Sequence, residues 1–140
     1  MMRWLFLLSL LFASPVHAGD GLDVKAWLSR PGVKVLAVEF YATWCKPCME
    51  AVPLWKRLHE KYRDQGFRLV VVSVQDPDGT CVNPGWNPDD IVCDDEGHLS
   101  DAMKVGNNLP AAFLWSWRGN LLVRRGHVDE VAEAVEAELA

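Results

Sequence analysis

The 140-residue chain has no repeated unit, no low-complexity tract and no apolar run of the roughly 20 residues that a membrane-spanning helix needs. It has no basic excess: 14 Lys and Arg stand against 19 Asp and Glu, a net charge of −5. A nucleic-acid binder would gather a basic face instead. Its 4 cysteines are too few for a disulfide-dense miniprotein, so an apolar core has to hold the fold. What is present, 50% hydrophobic and 24% charged residues, suits one ordinary globular domain. A disordered tail, a collagen-like chain and a polytopic membrane protein are excluded.

Residues 1–18 predict a secretory signal peptide. Arg3 supplies the positive start, Trp4 to Phe12 the apolar segment, and Val16-His17-Ala18 a small-x-small cleavage site before Gly19. The competing reading, a membrane anchor, meets a short apolar run and an interruption at Pro15. Residues 19–140 are then expected to form one domain that keeps all four cysteines, in a compartment where disulfides persist.

Within that domain, Leu22, Ala26, Trp27 and Leu28 outline a short amphipathic helix, stopped by Ser29-Arg30-Pro31-Gly32. Val33 to Tyr41 is nearly all apolar, as a strand buried on both faces would be. From about Cys45 to Asp64, Met49, Val52, Trp55, Leu58 and Tyr62 recur at helical spacing, with a kink expected at Pro53. Phe67 to Val74 predicts a second buried strand, and residues 75–97 an irregular excursion rich in Asp, Pro, Gly and Asn. A short helix around Leu99 to Val105 follows. Ala111–Trp117 and Leu121–Arg125 form a hairpin about Arg118-Gly119-Asn120, and a last helix carries Val128, Val131, Val135 and Leu139. The order implies an α/β fold, a central mixed sheet with parallel early strands, an antiparallel C-terminal hairpin and helices on both faces.

Trp44-Cys45-Lys46-Pro47-Cys48 carries the chemistry. A helix N-terminus offers free N–H groups and partial positive charge to the first sulfur, favouring its thiolate. Lys46 adds a positive charge, and Pro47 suits a first helical turn. The second sulfur lies about one turn away, within reach of a disulfide. The competing readings are a purely structural disulfide and half of a zinc site. Zinc would need a second ligand pair at suitable spacing, and Cys81 and Cys93 are far apart for that.

Glu39 stands amid Val35-Leu36-Ala37-Val38-Glu39-Phe40, where an ionised carboxylate is costly to bury. Desolvation should raise its pKa towards a range useful for proton exchange, unless it is an edge-facing, solvated glutamate.

With these residues in view, the chain resembles the thioredoxin-fold oxidoreductases, specifically exported disulfide reductases of the TlpA type. The likeness rests on Glu39-Phe40-Tyr41-Ala42-Thr43-Trp44-Cys45-Lys46-Pro47-Cys48, Pro53, Leu109-Pro110, Gly119 and Gly126, and covers nearly all of residues 19–140. It implies a thioredoxin fold and a Cys45–Cys48 dithiol/disulfide cycle that reduces exported proteins, with Cys45, Cys48 and Glu39 as catalytic residues. It further implies that Glu39 lies beneath Cys48 and relays its proton, that the bond before Pro110 is cis, and that Trp44 is exposed beside Cys45. Trp44, Lys46, Pro47, Leu109 and Pro110 would contact the substrate. No cofactor or metal is expected. A monomer in the bacterial periplasm is expected, re-reduced by a membrane thiol transporter. A disulfide-forming oxidase, a copper or zinc chaperone and an adhesion module with an idle disulfide are the alternatives. The chain departs from its relatives in having Ala51 where many carry glutamate, a short helix near Trp27 in place of an N-terminal hairpin, and Gly106-Asn107-Asn108-Leu109 before Pro110.

Cys81 and Cys93 bracket a loop containing Pro84, Gly85, Trp86 and Pro88. A structural disulfide is expected there, since closing such a ring removes unfolded-state entropy worth about 3 kcal/mol. A second redox pair, free thiols and a metal site are the alternatives. Asp76, Asp78, Asp89, Asp90, Asp94, Asp95 and Glu96 lack EF-hand spacing and read as a solvated loop. Trp115 and Trp117 are expected on one sheet face as core beneath a helix, while His59, His98 and His127 have no motif around them.

Overall fold

The structure is a computed structural model that describes residues 21–75, 81 and 83–140. The expected signal peptide lies outside the described residues. Among them, no helix is long and apolar enough to cross a membrane.

Helix α1 (Val24–Leu28) begins at Asp23, whose carboxylate accepts the Ala26 N–H at 2.9 Å. Its Trp27 is buried, with the Arg30 guanidinium 3.5 Å from the ring centre. Strand β1 (Val35–Tyr41) is buried along its whole length, so both of its faces are covered. Helix α2 (Lys46–Tyr62) runs unbroken through Pro53. Pro53 is exposed, and its missing N–H deprives the Met49 carbonyl of its i+4 donor. A 3-10 turn and Gly66, in the left-handed region at φ 101°, return the chain to the sheet. A β-carbon at Gly66 would sit 2.6 Å from the Gly32 carbonyl oxygen, so the turn accepts no side chain.

Strand β2 (Phe67–Val74) lies parallel to β1, with Val35 opposite Phe67 and Tyr41 opposite Ser73. Strand β3 (Asp90–Asp94) pairs in parallel with β2, and a short helix, α3 (His98–Ala102), follows. Strands β4 (Ala111–Ser116) and β5 (Leu121–Gly126) form the antiparallel hairpin, and α4 (Val128–Leu139) closes the fold. The sheet order is β3-β2-β1-β4-β5, with β4 antiparallel to β1. Helices α2 and α4 touch each other over one face. Phe40, Phe113 and Trp115 pack on the other, where Trp115 lines a cleft with Val24 and Leu28 of α1.

Three expectations need correction. The excursion 75–97 is not wholly irregular: Ile91-Val92-Cys93 forms the core of β3, the sheet edge. Trp117 is not core. It falls one residue beyond β4 and is 50% exposed, flanked by Lys34 and Arg118, while Trp115 is half-buried.

The acidic residues are not all solvated either. The Asp94 carboxylate caps α3, accepting the Leu99 and Ser100 N–H groups at 3.0 and 2.8 Å. Asp89 is tied in more deeply. Its backbone N–H donates to the Leu69 carbonyl, and its carboxylate accepts the Leu69 N–H, both at 2.8 Å. The same carboxylate lies 2.9 Å from His59 Nε2 and 3.4 Å from Arg63 Nε. His59, without a motif in sequence, is thus a buried partner of Asp89. Burial works to raise the Asp89 pKa. The His59 hydrogen bond, the Leu69 amide and the charges of His59 and Arg68 outweigh it, holding the carboxyl below its ordinary value.

A carboxyl depressed in the folded state adds stability above its unfolded value of about 3.9, and that stability is lost as pH falls through the folded value. Asp89→Ala, which orphans the Leu69 N–H and His59, is expected to cost about 2–4 kcal/mol in urea unfolding at neutral pH. The gap between wild type and Asp89→Asn should narrow as pH falls from about 5 towards 2. A gap independent of pH would show that the carboxylate charge has no part in the tie.

Candidate active site

The parallel strands bring the chain to one end of the sheet, where β1 gives way to a short turn and then α2. The turn closes through the Cys45 N–H donating to the Ala42 carbonyl at 3.1 Å. Cys45 is the N-cap of α2, in extended conformation (φ −86°, ψ 106°), and Pro47 occupies the first turn. Without Ser, Asp or Asn at the cap, the cysteine sulfur takes the role: Cys45 Sγ accepts the Cys48 N–H at 3.3 Å. The helix end therefore directs its free amides and dipole at this sulfur.

Cys45 and Cys48 form a disulfide, with Cα atoms 5.2 Å apart, and both are buried. Lys46 is less free than its place in the motif suggests. Its ammonium lies 3.8 Å from Glu50 Oε1, and both side chains are well exposed, so its influence on the sulfur is screened.

Trp44, immediately before the pair, is 55% exposed, yet its indole N–H is fixed, donating to the Gln75 carbonyl at 3.1 Å. Gln75 stands just beyond β2 in the left-handed region (φ 51°). Its side-chain amide donates to Asn107 Oδ1 at 3.5 Å, in the turn that leads to Pro110. The Leu109–Pro110 peptide bond is cis. Pro110 directly precedes Ala111, which pairs with Phe40, so this loop stands at the same sheet end as Cys45. Neither Gln75 nor Asn107 was legible as a site residue, because their link to Trp44 joins residues more than thirty positions apart.

Glu39 lies mid-β1 between Val71 and Ala112 and is 1% exposed, so the solvated alternative is excluded. It shares the side of β1 that meets α2, where it neighbours the indole of Trp55. Trp55 stands seven residues after Cys48, two turns along the same buried stripe as Cys48 and Val52. Burial pushes the Glu39 carboxyl well above its ordinary range, and the Trp55 indole pulls weakly the other way. Glu39 Oε1 and Trp55 Nε1 are both buried without a hydrogen bond. Such a site favours the neutral acid, and a carboxylate formed there holds a proton more tightly than an ordinary glutamate does.

Cys81 and Cys93 form a second disulfide, with Cα atoms 5.6 Å apart. Among the described residues, no three or more His, Cys, Asp or Glu side chains gather as metal ligands would.

Comparison with known proteins gives the same fold. Residues 27–84 match the family model Thioredoxin. A thioredoxin of Ophiophagus hannah is 39% identical over 64 residues, 45% of this chain and 61% of that protein. The thiol-disulfide oxidoreductase ResA of Oceanobacillus iheyensis is 32% identical over 106 residues, 71% of this chain and 50% of that protein. The chain thus spans between half and three fifths of the length of these two relatives. A solved thiol-disulfide oxidoreductase from Bacteroides fragilis superposes with a TM-score of 0.58 at 26% identity, covering 74% of this chain and 80% of that one.

A carboxyl whose folded pKa is raised leaves stability intact below its unfolded value of about 4.3 and erodes it as pH climbs towards the folded value. Glu39→Gln removes that erosion. Its urea midpoint relative to wild type should therefore rise between pH 4 and pH 7, and a constant difference would exclude a buried neutral acid.

Proposed function

We propose that this chain is a thioredoxin-fold thiol-disulfide oxidoreductase of the TlpA/ResA type that reduces disulfides of exported proteins, a reading supported by its likeness to the thioredoxin family model and to ResA. The observation that carries this reading is Cys45 Sγ at the N-cap of α2, accepting the Cys48 amide. A reduced Cys45 in that position has its thiolate stabilised by the helix end.

In the proposed cycle, the Cys45 thiolate attacks one sulfur of the partner's disulfide and forms a mixed disulfide, and the partner's other sulfur leaves as thiolate. Cys48 gives up its proton to Glu39 in its carboxylate form, whose proton affinity burial raises, and attacks Cys45. The partner departs reduced, and Cys45–Cys48 is left oxidised. Trp44, Lys46, Pro47, Leu109 and Pro110 form the contact surface for the partner's chain. The exposed, hydrogen-bonded Trp44 and the Pro110 loop, both at the sheet end that carries Cys45, support that assignment. We further propose residues 1–18 as a cleaved signal peptide, a periplasmic monomer, and re-reduction by a membrane thiol transporter. Reduction is favoured over oxidation by the kinship with ResA and by Lys46-Pro47 between the cysteines.

Cys48→Ala should accumulate mixed disulfides with exported proteins, while Cys45→Ser should capture none and fail to reduce insulin. Reduced Cys45 should titrate below about 8.5 and alkylate quickly at pH 7. An ordinary thiol pKa with slow alkylation would defeat the reading. Glu39→Gln should slow release from the mixed disulfide by about 10- to 100-fold and flatten its pH profile, leaving the first attack unchanged.

A further inference from the structure

The Cys81–Cys93 disulfide is not used by the reaction proposed for Cys45–Cys48. Cys93 is exposed and Cys81 half-buried. Cys93 lies on β3, the sheet edge, opposite Ser73 of β2, which stands opposite Tyr41 of β1. Cys45 follows Tyr41 by four residues, so both disulfides occupy the same end of the sheet.

A staple is needed where nothing else holds a segment, and the described residues 83–89 inside this ring are tied to the body of the fold at two places and to themselves at a third without sulfur. Asp89 is bonded to Leu69 through backbone and side chain and paired with His59. Trp86 is buried against Tyr41, with ring centres 5.1 Å apart. Asn83 closes a local turn: its Oδ1 accepts the Gly85 and Trp86 N–H groups at 3.0 and 2.7 Å, and its amide donates to the Trp86 carbonyl at 3.3 Å. Cys81 itself stands at φ 51°, a region unfavourable to a residue with a β-carbon. Exposed and constrained disulfides are the ones that exchange most readily.

We propose that Cys81–Cys93 is a second exchangeable disulfide, reduced by a protein dithiol without loss of the fold. The partner's thiolate attacks Cys93 Sγ, the Cys81–Cys93 bond breaks, and Cys81 leaves as thiolate and takes up a proton. The partner's second thiol, giving up its proton, then attacks its own sulfur in the mixed disulfide. Cys93 leaves as thiolate and is protonated in turn. The partner is oxidised by two electrons and Cys81–Cys93 is reduced by two. Asp90 and Asp95, exposed and within three residues of Cys93, repel anionic thiols, so the partner's surface around its thiols is neutral or basic.

The test uses dithiothreitol, an uncharged dithiol, in graded ratios of its reduced and oxidised forms. Alkylation resolved by peptide mass reads each cysteine of the wild-type protein. A Cys45→Ser/Cys48→Ser variant read alongside removes any transfer from the first pair, so failure of the reaction proposed there leaves this test intact. Cys81–Cys93 is expected to open within about tenfold of the ratio that opens Cys45–Cys48. It should do so equally in the variant, with the near-ultraviolet circular dichroism of the folded state retained. A requirement for more reductant than that, for added denaturant, or for Cys45 and Cys48 to be present would overturn the proposal, as would loss of the folded signal on opening.

Discussion

Cys45 accepts the Cys48 amide at the first turn of α2 only because β1 delivers the chain to that point. A strand buried on both faces is fixed laterally by β2 and β4 and vertically by helices, which leaves its C-terminal residue no freedom to drift. The turn Ala42 to Cys45 then translates a rigid strand into a rigid helix start. A sulfur on a loose loop would meet the same amides only part of the time, and its anion would lose the stabilisation that a fixed dipole supplies. The apolar composition of β1 is thus part of the chemistry proposed for the cysteine.

The same rigidity explains how Glu39 is tolerated. One buried carboxyl costs the fold stability, and Oε1 recovers none of it through hydrogen bonding within the described chain. The strand on each side of Glu39 pairs without interruption, to Val71 and to Ala112, so the cost is carried by a continuously paired sheet. Trp55 extends the protection from above, a large indole whose own N–H is also unpartnered. A carboxyl and an indole N–H buried side by side under the cysteine-bearing helix, the indole acting on the carboxyl, are unusual for a core. Packing alone would have been served by Leu and Phe.

How much of this was legible follows from where each constraint sits in the chain. Strands β1 and β2 could be read because burial on both faces leaves a continuous apolar run, and β2 was read to its ends. The Cys45-x-x-Cys48 turn could be read because its partners are three residues apart. Strand β3 could not. An edge strand has one paired side, and Asp90, Asp94 and Asp95 around Ile91-Val92 gave the segment the look of a loop. His59 and Asp89 are thirty residues apart and meet only once β2 lies beside α2, so neither carries a local sign of the other. Trp117 misled for the opposite reason: its alternation with Trp115 is real, and both line the cleft beside α1, but the strand ends one residue too soon to bury it.

The described residues between β2 and β3 show how the connection to an edge strand can be fixed. A crossover between parallel neighbours usually spends a helix on covering the sheet. Here the described residues 83–89 are seated by one aromatic, Trp86 on Tyr41, and one carboxylate, Asp89 on Leu69 and His59. Both anchors land on elements that frame the redox pair: Tyr41 ends β1 and His59 lies on α2. Gln75, at the loop's start, holds the Trp44 indole and reaches Asn107 of the Pro110 turn. The loop is therefore joined to the redox end of the molecule through the strand, the helix and the rim.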